Sequence, residues 1–256
     1  MSRRARLTVA YLGTEFHGFA ESDNARTVMG ELRGALERVM QQPVNPVGAG
    51  RTDAGVHGWG QVVSLDLPDD TDLANLQRRI NRMIGPTIAV RDAAWTDDPE
   101  FNARYNASWR HYRYHVINDS VPNPLMAATA WHVHRPLQLW AMQLACDPII
   151  GEHDFSSFCR RPKPIEGVTP PSMRRRVLSA QWRAVPDDHP GLLRFEIRAN
   201  AFCHQMVRSL VGTMIDIGLG RIHAGDMRSV MLRHDRQAAS TVAPPHGLVL
   251  WEVGYP

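Results

Sequence analysis

The chain has 256 residues, 43 % of them hydrophobic and 21 % charged, which excludes a disordered or fibrous polymer and allows a sizeable core. No apolar run reaches the length of a membrane span. The net charge of +3 is too small to assign a partner until its distribution is read.

In chain order, basic Met1–Arg6 leads into a short apolar run, Leu7 to Tyr11, that reads as a strand entering a loop and not as a signal peptide. Thr27 opens a helix with Val28, Leu32, Leu36, Val39 and Met40 on one face, and Pro43 ends it. A short strand near Val44–Val47 precedes a glycine-rich loop, Gly48 to Gly60, and Gln61 to Leu67 reads as the next strand. Asp72 to Ile84 follows as a helix and Ile88 to Trp95 as a strand.

Trp109 to Ile117 alternates, with Tyr112, Tyr114 and Val116 on one face and His111, Arg113 and His115 on the other. A helix is expected over Leu137 to Ile150, disturbed at Pro148. Residues 160–173 carry four prolines and part of a basic run, so an exposed loop or arm is expected there, its arginines extending to Arg176. Val177–Arg183 and Leu192–Asn200 read as paired strands, Phe202–Gly218 as a buried helix, Asp226–His234 as a short helix and Gly247–Val253 as a last strand. Strict strand–helix alternation is lacking, so an α+β fold with helices on one face of a mainly antiparallel sheet is expected. The halves 1–104 and 105–256 each supply several strands and two helices.

Charge is concentrated in places. Phe101 to Asn118 contains no acid, yet Arg104, Arg110 and Arg113 sit among Tyr105, Trp109, Tyr112 and Tyr114. Arg160 to Arg183 holds seven basic residues against Glu166. Arginine beside aromatics suits phosphate contact and base stacking; a solvated face rich in arginine is the alternative, since Lys163 is the only lysine. Cys146, Cys159 and Cys203 form no metal-spaced pair, so reduced thiols in a cytoplasm are expected. His57, His153, His204 and the pair His132 and His134 lack any zinc-ligand spacing, and no metal is expected.

Five glycines lie between Gly48 and Gly60, as in a loop that bends tightly and admits a ligand or a second backbone. The third glycine of a dinucleotide fingerprint is replaced by Asp53, and a strand follows where a helix would be needed. Composition leaves a plain turn with solvated Arg51 and Asp53 open.

The order of residues goes further. Gly50-Arg51-Thr52-Asp53-Ala54-Gly55-Val56-His57 resembles the signature loop of the TruA-type tRNA pseudouridine synthases. Tyr11 to Phe19, Arg110 to Tyr114, Gly151 to Phe158, Ala201 to Arg208 and Ala243 to Leu250 resemble further family segments, in family order over nearly the whole chain. The resemblance implies two related ferredoxin-like halves joined in a mainly antiparallel sheet. It implies an isomerase that needs no cofactor: the N1–C1′ bond of a tRNA uridine is cut, the uracil turned, and the base rejoined through C5.

Asp53 then matches the family's catalytic carboxylate, a group able to add covalently and leave. Arg208 matches the guanidinium that keeps such a carboxylate ionised in a closed site, and Tyr112 the tyrosine that packs on the target uracil. Arg51, Tyr112 and Leu248 are the implied substrate contacts, with Arg51 filling the gap left by the extruded base. The implied substrate is the anticodon stem-loop of tRNA at tRNA positions 38 to 40, gripped by a cytoplasmic homodimer. A non-catalytic RNA-binding protein on the same fold is the rival. Leu12, Phe19-Ala20 and Met29 depart from the family pattern.

Overall fold

The computed structural model describes residues 1–161, 167 and 169–256, and these fall into two compact units. The first comprises residues 1–109 and 249–256, the second 110–248. The last strand therefore belongs almost wholly to the first unit, whereas a simple cut after residue 104 would leave it with the second.

In the first unit, β1 (Ser2–Tyr11), α1 (Val28–Met40), β2 (Val47–Gly48), β3 (His57–Pro68), α2 (Leu73–Ile84) and β4 (Ile88–Trp95) follow one another. The strands run β4-β1-β3-β2, every neighbour antiparallel, which is the ferredoxin-like order. Thr27 caps α1 by accepting the Gly30 N–H, and Asp72 caps α2 by accepting that of Asn75. Alternation along β1 sends Ala5, Leu7, Val9 and Tyr11 into a core shared with Leu32 and Leu36 of α1 and Leu76 and Ile80 of α2. Both helices thus cover one sheet face, while Arg4–Asp66 and Arg6–Asp92 pair on the other.

The second unit contains β5 (Trp109–Asn118), β6 (Trp131–Val133), α3 (Leu139–Leu144), β7 (Gly151–Asp154), β8 (Arg174–Ala184), β9 (Leu192–Ala199), α4 (Met206–Gly218) and α5 (Asp226–Leu232). Its strands run β5-β9-β8-β7, antiparallel throughout, with β6 parallel to β5 at the edge. With the short β6 and β7 set aside, β5, β8 and β9 place first strand beside third and third beside second, as in the first unit, and β7 extends the sheet beyond β8. Each half is α+β. Tyr114, Phe195, Ile197, Leu210 and Met214 are fully buried, and the Trp182 indole N–H reaches the Met214 sulfur at 3.1 Å. β10 (Leu248–Gly254) pairs in parallel with the start of β3.

Several boundaries differ from those read in the sequence. The glycine-rich loop ends at Val56, because His57–Gly60 is claimed as strand by neighbours on both sides: Gly58 pairs with Tyr11, and His57 with Val249. The helix expected over 137–150 stops at Leu144; a 3-10 turn at Asp147–Ile149 follows, since Pro148 has no N–H to continue it. α4 starts at Met206, after Gln205 takes a left-handed conformation (φ 64°). The arm shortens too. Arg174–Arg176 are strand, facing Asp154, His153 and Glu152 across the β7–β8 ladder. Residues 162–166 and 168 of the expected arm lie outside the described residues.

On the sheet face of the second unit that bears Arg113, Glu196 is the focus of charge. Its Oε1 lies 2.9, 3.0 and 3.1 Å from Arg113, Arg183 and Arg194, and Gln181 donates to Oε2 at 3.1 Å. Burial pushes this carboxyl up, but Arg113, the Gln181 amide and the other two guanidinium groups outweigh it and hold it below the ordinary range. Glu196→Gln removes the charge at constant volume. It is expected to cost about 2–4 kcal/mol, less than a fully buried pair because Arg183 is half in solvent. A depressed carboxyl stabilises above its unfolded pKa, about 4.3, and loses that contribution as pH falls through the folded value. Urea midpoints should therefore separate wild type from variant at pH 7 and converge towards pH 3; equal midpoints at pH 7 would exclude this role.

Candidate active site

Residues 49–56 are held from every side. Ala49 donates to the Val62 carbonyl at 2.8 Å, and the fully buried Gln61 amide donates to the Gly50 carbonyl at 2.9 Å. The Thr52 carbonyl accepts the Phe19 N–H (3.2 Å), and the Thr52 hydroxyl bonds the buried Tyr11 phenol (2.9 Å). Gly55 donates to Phe16 (3.3 Å), and Val56 to the Asp53 carbonyl (3.1 Å). Thr52 is thereby turned inward, leaving Asp53 half-buried and Arg51 exposed. The main chain on both sides of Asp53 is fixed by these bonds, which sets the direction from which its side chain is presented.

The opening segment is the other half of this clamp. Its residues join α1 to the loop, since Val28 and Met29 donate to the carbonyls of Gly18 and Phe19. Gly18 has φ +102°, and a Cβ there would sit 2.8 Å from the Thr52 carbonyl oxygen. At Gly13 a Cβ would collide with the Val56 carbonyl. The Gly13 N–H donates to Nδ1 of the buried His57 at 2.9 Å, so this ring braces the loop. Burial pushes the Tyr11 phenol above its ordinary value, against the opposing bonds to Thr52 and Gln61, so it remains a protonated partner for Thr52. Gly13→Ala should lower the thermal midpoint, at a cost of about 1–3 kcal/mol, and impair the Asp53 loop before the rest of the fold. Hydrogen exchange at residues 50–57 would show it; unchanged protection there would refute the clamp.

In the second unit, Tyr112 is buried on β5 with its ring edge-on to Phe202, centroids 5.0 Å apart. Arg208 is the third residue of α4 and half-buried. Its Nε donates to the Ala243 carbonyl at 2.8 Å, while the Ala243 N–H donates back to the Arg208 carbonyl at 3.1 Å. That reciprocal pair fixes the guanidinium plane and ties α4 to the segment ending at buried Leu248. Tyr114 fastens the same segment by donating to the Pro244 carbonyl at 2.8 Å. Burial raises its phenol far above the usual value despite the opposing Arg208 charge, so it stays a donor. Gly247 is required beside it, because a Cβ would lie 2.6 Å from the Tyr114 ring.

The structure thus assembles Arg51 and Asp53 in one unit, and Tyr112, Arg208 and Leu248 in the other. Sequence reading does not find the supporting roles of Tyr11, Thr52 and Gln61, or of the Ala243 and Pro244 carbonyls. Tyr11 opens one of the recognised segments, which is the available signal for it. The rings of His132 and His153 bond the carbonyls of Asp119 and Ile150 at 2.8 and 2.9 Å. Among the described residues no group of three metal-ligating side chains comes together, and no helix is long and apolar enough to cross a membrane. Of the departures from the family pattern, Phe19 and Met29 are buried core residues and Leu12 is exposed.

A family model described as tRNA pseudouridine synthase matches residues 7–106 and 145–256. A tRNA pseudouridine synthase A of Leifsonia xyli is 40 % identical over 276 residues, covering 99 % of this chain and 92 % of the relative. One from Frankia casuarinae is 40 % identical over 257 residues, covering 99 % and 89 %. The Brevibacillus brevis protein of the same name is 34 % identical, covering 99 % of this chain and all of its own.

Proposed function

The chain belongs to the tRNA pseudouridine synthase family, and on that footing we propose that Asp53 is the carboxylate with which it isomerises uridine in tRNA. The observation that supports this most directly is the clamp on residues 50–56. It fixes the main chain around Asp53 through bonds made by Thr52, Gly55 and Val56, so the carboxylate is carried on a rigid support. A nucleophile that must add to the ribose and then leave gains from such pre-organisation.

Arg208 supplies the positive charge that keeps the carboxylate ionised, and Tyr112 borders the uracil, its ring set by Phe202. Leu248 closes the apolar wall. Arg51, exposed beside Asp53, holds the gap left by the flipped nucleotide. The target is a uridine at tRNA positions 38 to 40, in the anticodon stem-loop, and a cytoplasmic homodimer grips the tRNA. Release of tritium from tRNA labelled at uridine C5 tests the reaction. Substrates with a single uridine at position 38, 39 or 40 test the site of modification. A protein that binds tRNA and releases no tritium would be the non-catalytic alternative.

Arg174 and Arg176 remain the basic residues most suited to phosphate contact on β8. The Arg174 guanidinium pairs with the solvent-exposed Glu152, at 3.3 Å, whereas Arg175 donates to the Ser172 and Arg174 carbonyls. Neutralising Arg174 and Arg176 to Gln should flatten the plot of log affinity against log salt by about 0.7–0.9 for every phosphate no longer neutralised. The choice of uridine should not change, because phosphate contacts position without specifying. Filter binding at several salt concentrations gives the slope, and an unchanged slope would remove β8 from the tRNA surface. Arg51→Ala should keep the slope and slow the chemical step.

A further inference from the structure

Away from Asp53, three guanidinium groups gather at one place in the second unit. A cavity of about 680 Å³ is lined by Arg160, Arg161, Gln205 and Arg236, with His234 and Asp235 beside Arg236 and buried Cys159 in the wall. That volume suits a small molecule, or a stretch of a larger one, better than a lone ion. The walls are pinned from behind. The Arg160 N–H donates to the His204 carbonyl at 3.0 Å, and the Met231 carbonyl accepts both the His234 N–H and the Ser157 hydroxyl at 3.4 Å. The segment after β7, the start of α4 and the end of α5 are thereby held around one space.

Charge decides what the space suits. Among the described residues none of the three guanidinium groups takes part in an ion pair, whereas Arg174 on β8 has Glu152. Asp235 is the one acid on the wall among the described residues, and its Oδ1 already accepts the Gln237 N–H at 2.9 Å. His234 adds charge only when protonated, and its Nδ1 lies 3.7 Å from Asp154. α4 acts in the same sense. Gln205, its N-cap, makes no side-chain bond to the first turn, and that turn carries no acid, so the positive end of the helix dipole borders the cavity. Three like charges around one hollow raise a local field that an anion relieves. Guanidinium is matched to phosphate, whose oxygens it meets with two parallel N–H donors.

We propose that this cavity binds phosphate groups of the tRNA backbone, apart from the contacts to the target uridine. That tRNA is the bearer rests on the function proposed above; that the cavity takes phosphate does not. Arg208 is the third residue of the helix that Gln205 caps, so the cavity lies within a turn of the guanidinium assigned to the reaction. A phosphate fixed here would hold the strand in register while the base is turned out, because phosphate contacts position and do not specify.

Phosphate-ethylation interference on end-labelled tRNA is the test, with the full-length protein. Wild type should reject tRNA ethylated at one or two particular phosphates, and the triple variant Arg160→Gln, Arg161→Gln, Arg236→Gln should no longer reject it. The single variants, which disturb the fold least, should each remove part of that pattern. In filter binding, the triple variant's plot of log affinity against log salt should flatten by about 0.7–0.9 for each of those phosphates. Arg79→Gln, on the exposed side of α2, should leave the slope as it is. Equal flattening by Arg79→Gln would reduce the effect to net charge and overturn the proposal. Inorganic phosphate at constant ionic strength, read by the thermal midpoint, covers free phosphate as the source. A rise in wild type that the triple variant lacks, with one ethylation pattern for both proteins, would keep a phosphate site and overturn its assignment to tRNA. One pattern, one slope and no response to phosphate would overturn the site itself. A changed pattern in a protein whose wild type releases no tritium would uphold the cavity and refute the reaction.

Discussion

Asp53→Asn should reduce tritium release from C5-labelled tRNA to background while tRNA affinity stays within a few-fold of wild type. The amide keeps the volume and planarity of the carboxylate, and the loop is fixed by bonds of the backbone and of Thr52 that this change does not touch. Folding and binding should therefore survive. What disappears is the ability of the side chain to add as an anion and leave again, and no neighbour supplies it: Thr52 is turned inward, and His57 offers its Nδ1 to Gly13. Asp53→Glu should also fail by a large factor, since one added methylene moves the carboxylate by more than a rigid loop can absorb. The assay is single-turnover tritium release with enzyme in excess, beside filter binding on the same preparations. Product above trace from pure Asp53→Asn protein would remove Asp53 from the reaction, whatever the affinity.

Legibility in the sequence follows the range of the interactions. α1 and α2 are set by local chemistry, and both are readable: Thr27 and Asp72 are caps whose partners lie three residues on. β1 carries the period-two pattern that a half-buried strand needs, and β5 carries it over Tyr112–Val116. Where the pattern misleads, distant contacts decide the structure. His57–Gly60 looks like loop because glycine disfavours strand, but β1 and β10 require small residues where the Tyr11 ring and the Trp251 carbonyl approach. β6 and β7 are too short to show a period. Arg174–Arg176 read as an arm because three consecutive arginines have no alternation, whereas the β7 ladder pairs them regardless. The start of α4 is not legible because nothing local announces a glutamine in the left-handed region.

The loop of Asp53 divides in the same way. Its order of residues makes it recognisable, but not the reason for its shape. The Tyr11–Thr52 bond joins residues forty-one apart, and Gly13 to His57 forty-four. No pattern within the loop encodes either contact. Each half of the clamp carries glycine or a small polar residue where the other half comes within van der Waals distance, which shows only once both are folded.

Arg208 carries the second large effect. Arg208→Ala and Arg208→Lys should both lower single-turnover tritium release by about 10²–10³, the usual reduction for a pre-organised group that stabilises charge in a dry site. Lysine is the informative variant. It keeps the charge, but its compact ammonium cannot donate from the Nε position to the Ala243 carbonyl while also directing a planar pair of donors elsewhere. The reciprocal bonds between residues 208 and 243 imply that the guanidinium plane is set by the segment leading to Leu248, so charge without that plane should not rescue. A merely structural Arg208 would behave otherwise: lysine would recover most of the rate, and the defect in alanine would track loss of thermal stability. The two can be separated by measuring the pH profile of the single-turnover rate alongside the thermal midpoint. If Arg208 keeps the reacting carboxylate ionised, the acidic limb should move to higher pH in Arg208→Ala, where the carboxylate loses its cation, and less in Arg208→Lys, which keeps one. An acidic limb that stays in place in Arg208→Ala would show that Arg208 acts through packing alone.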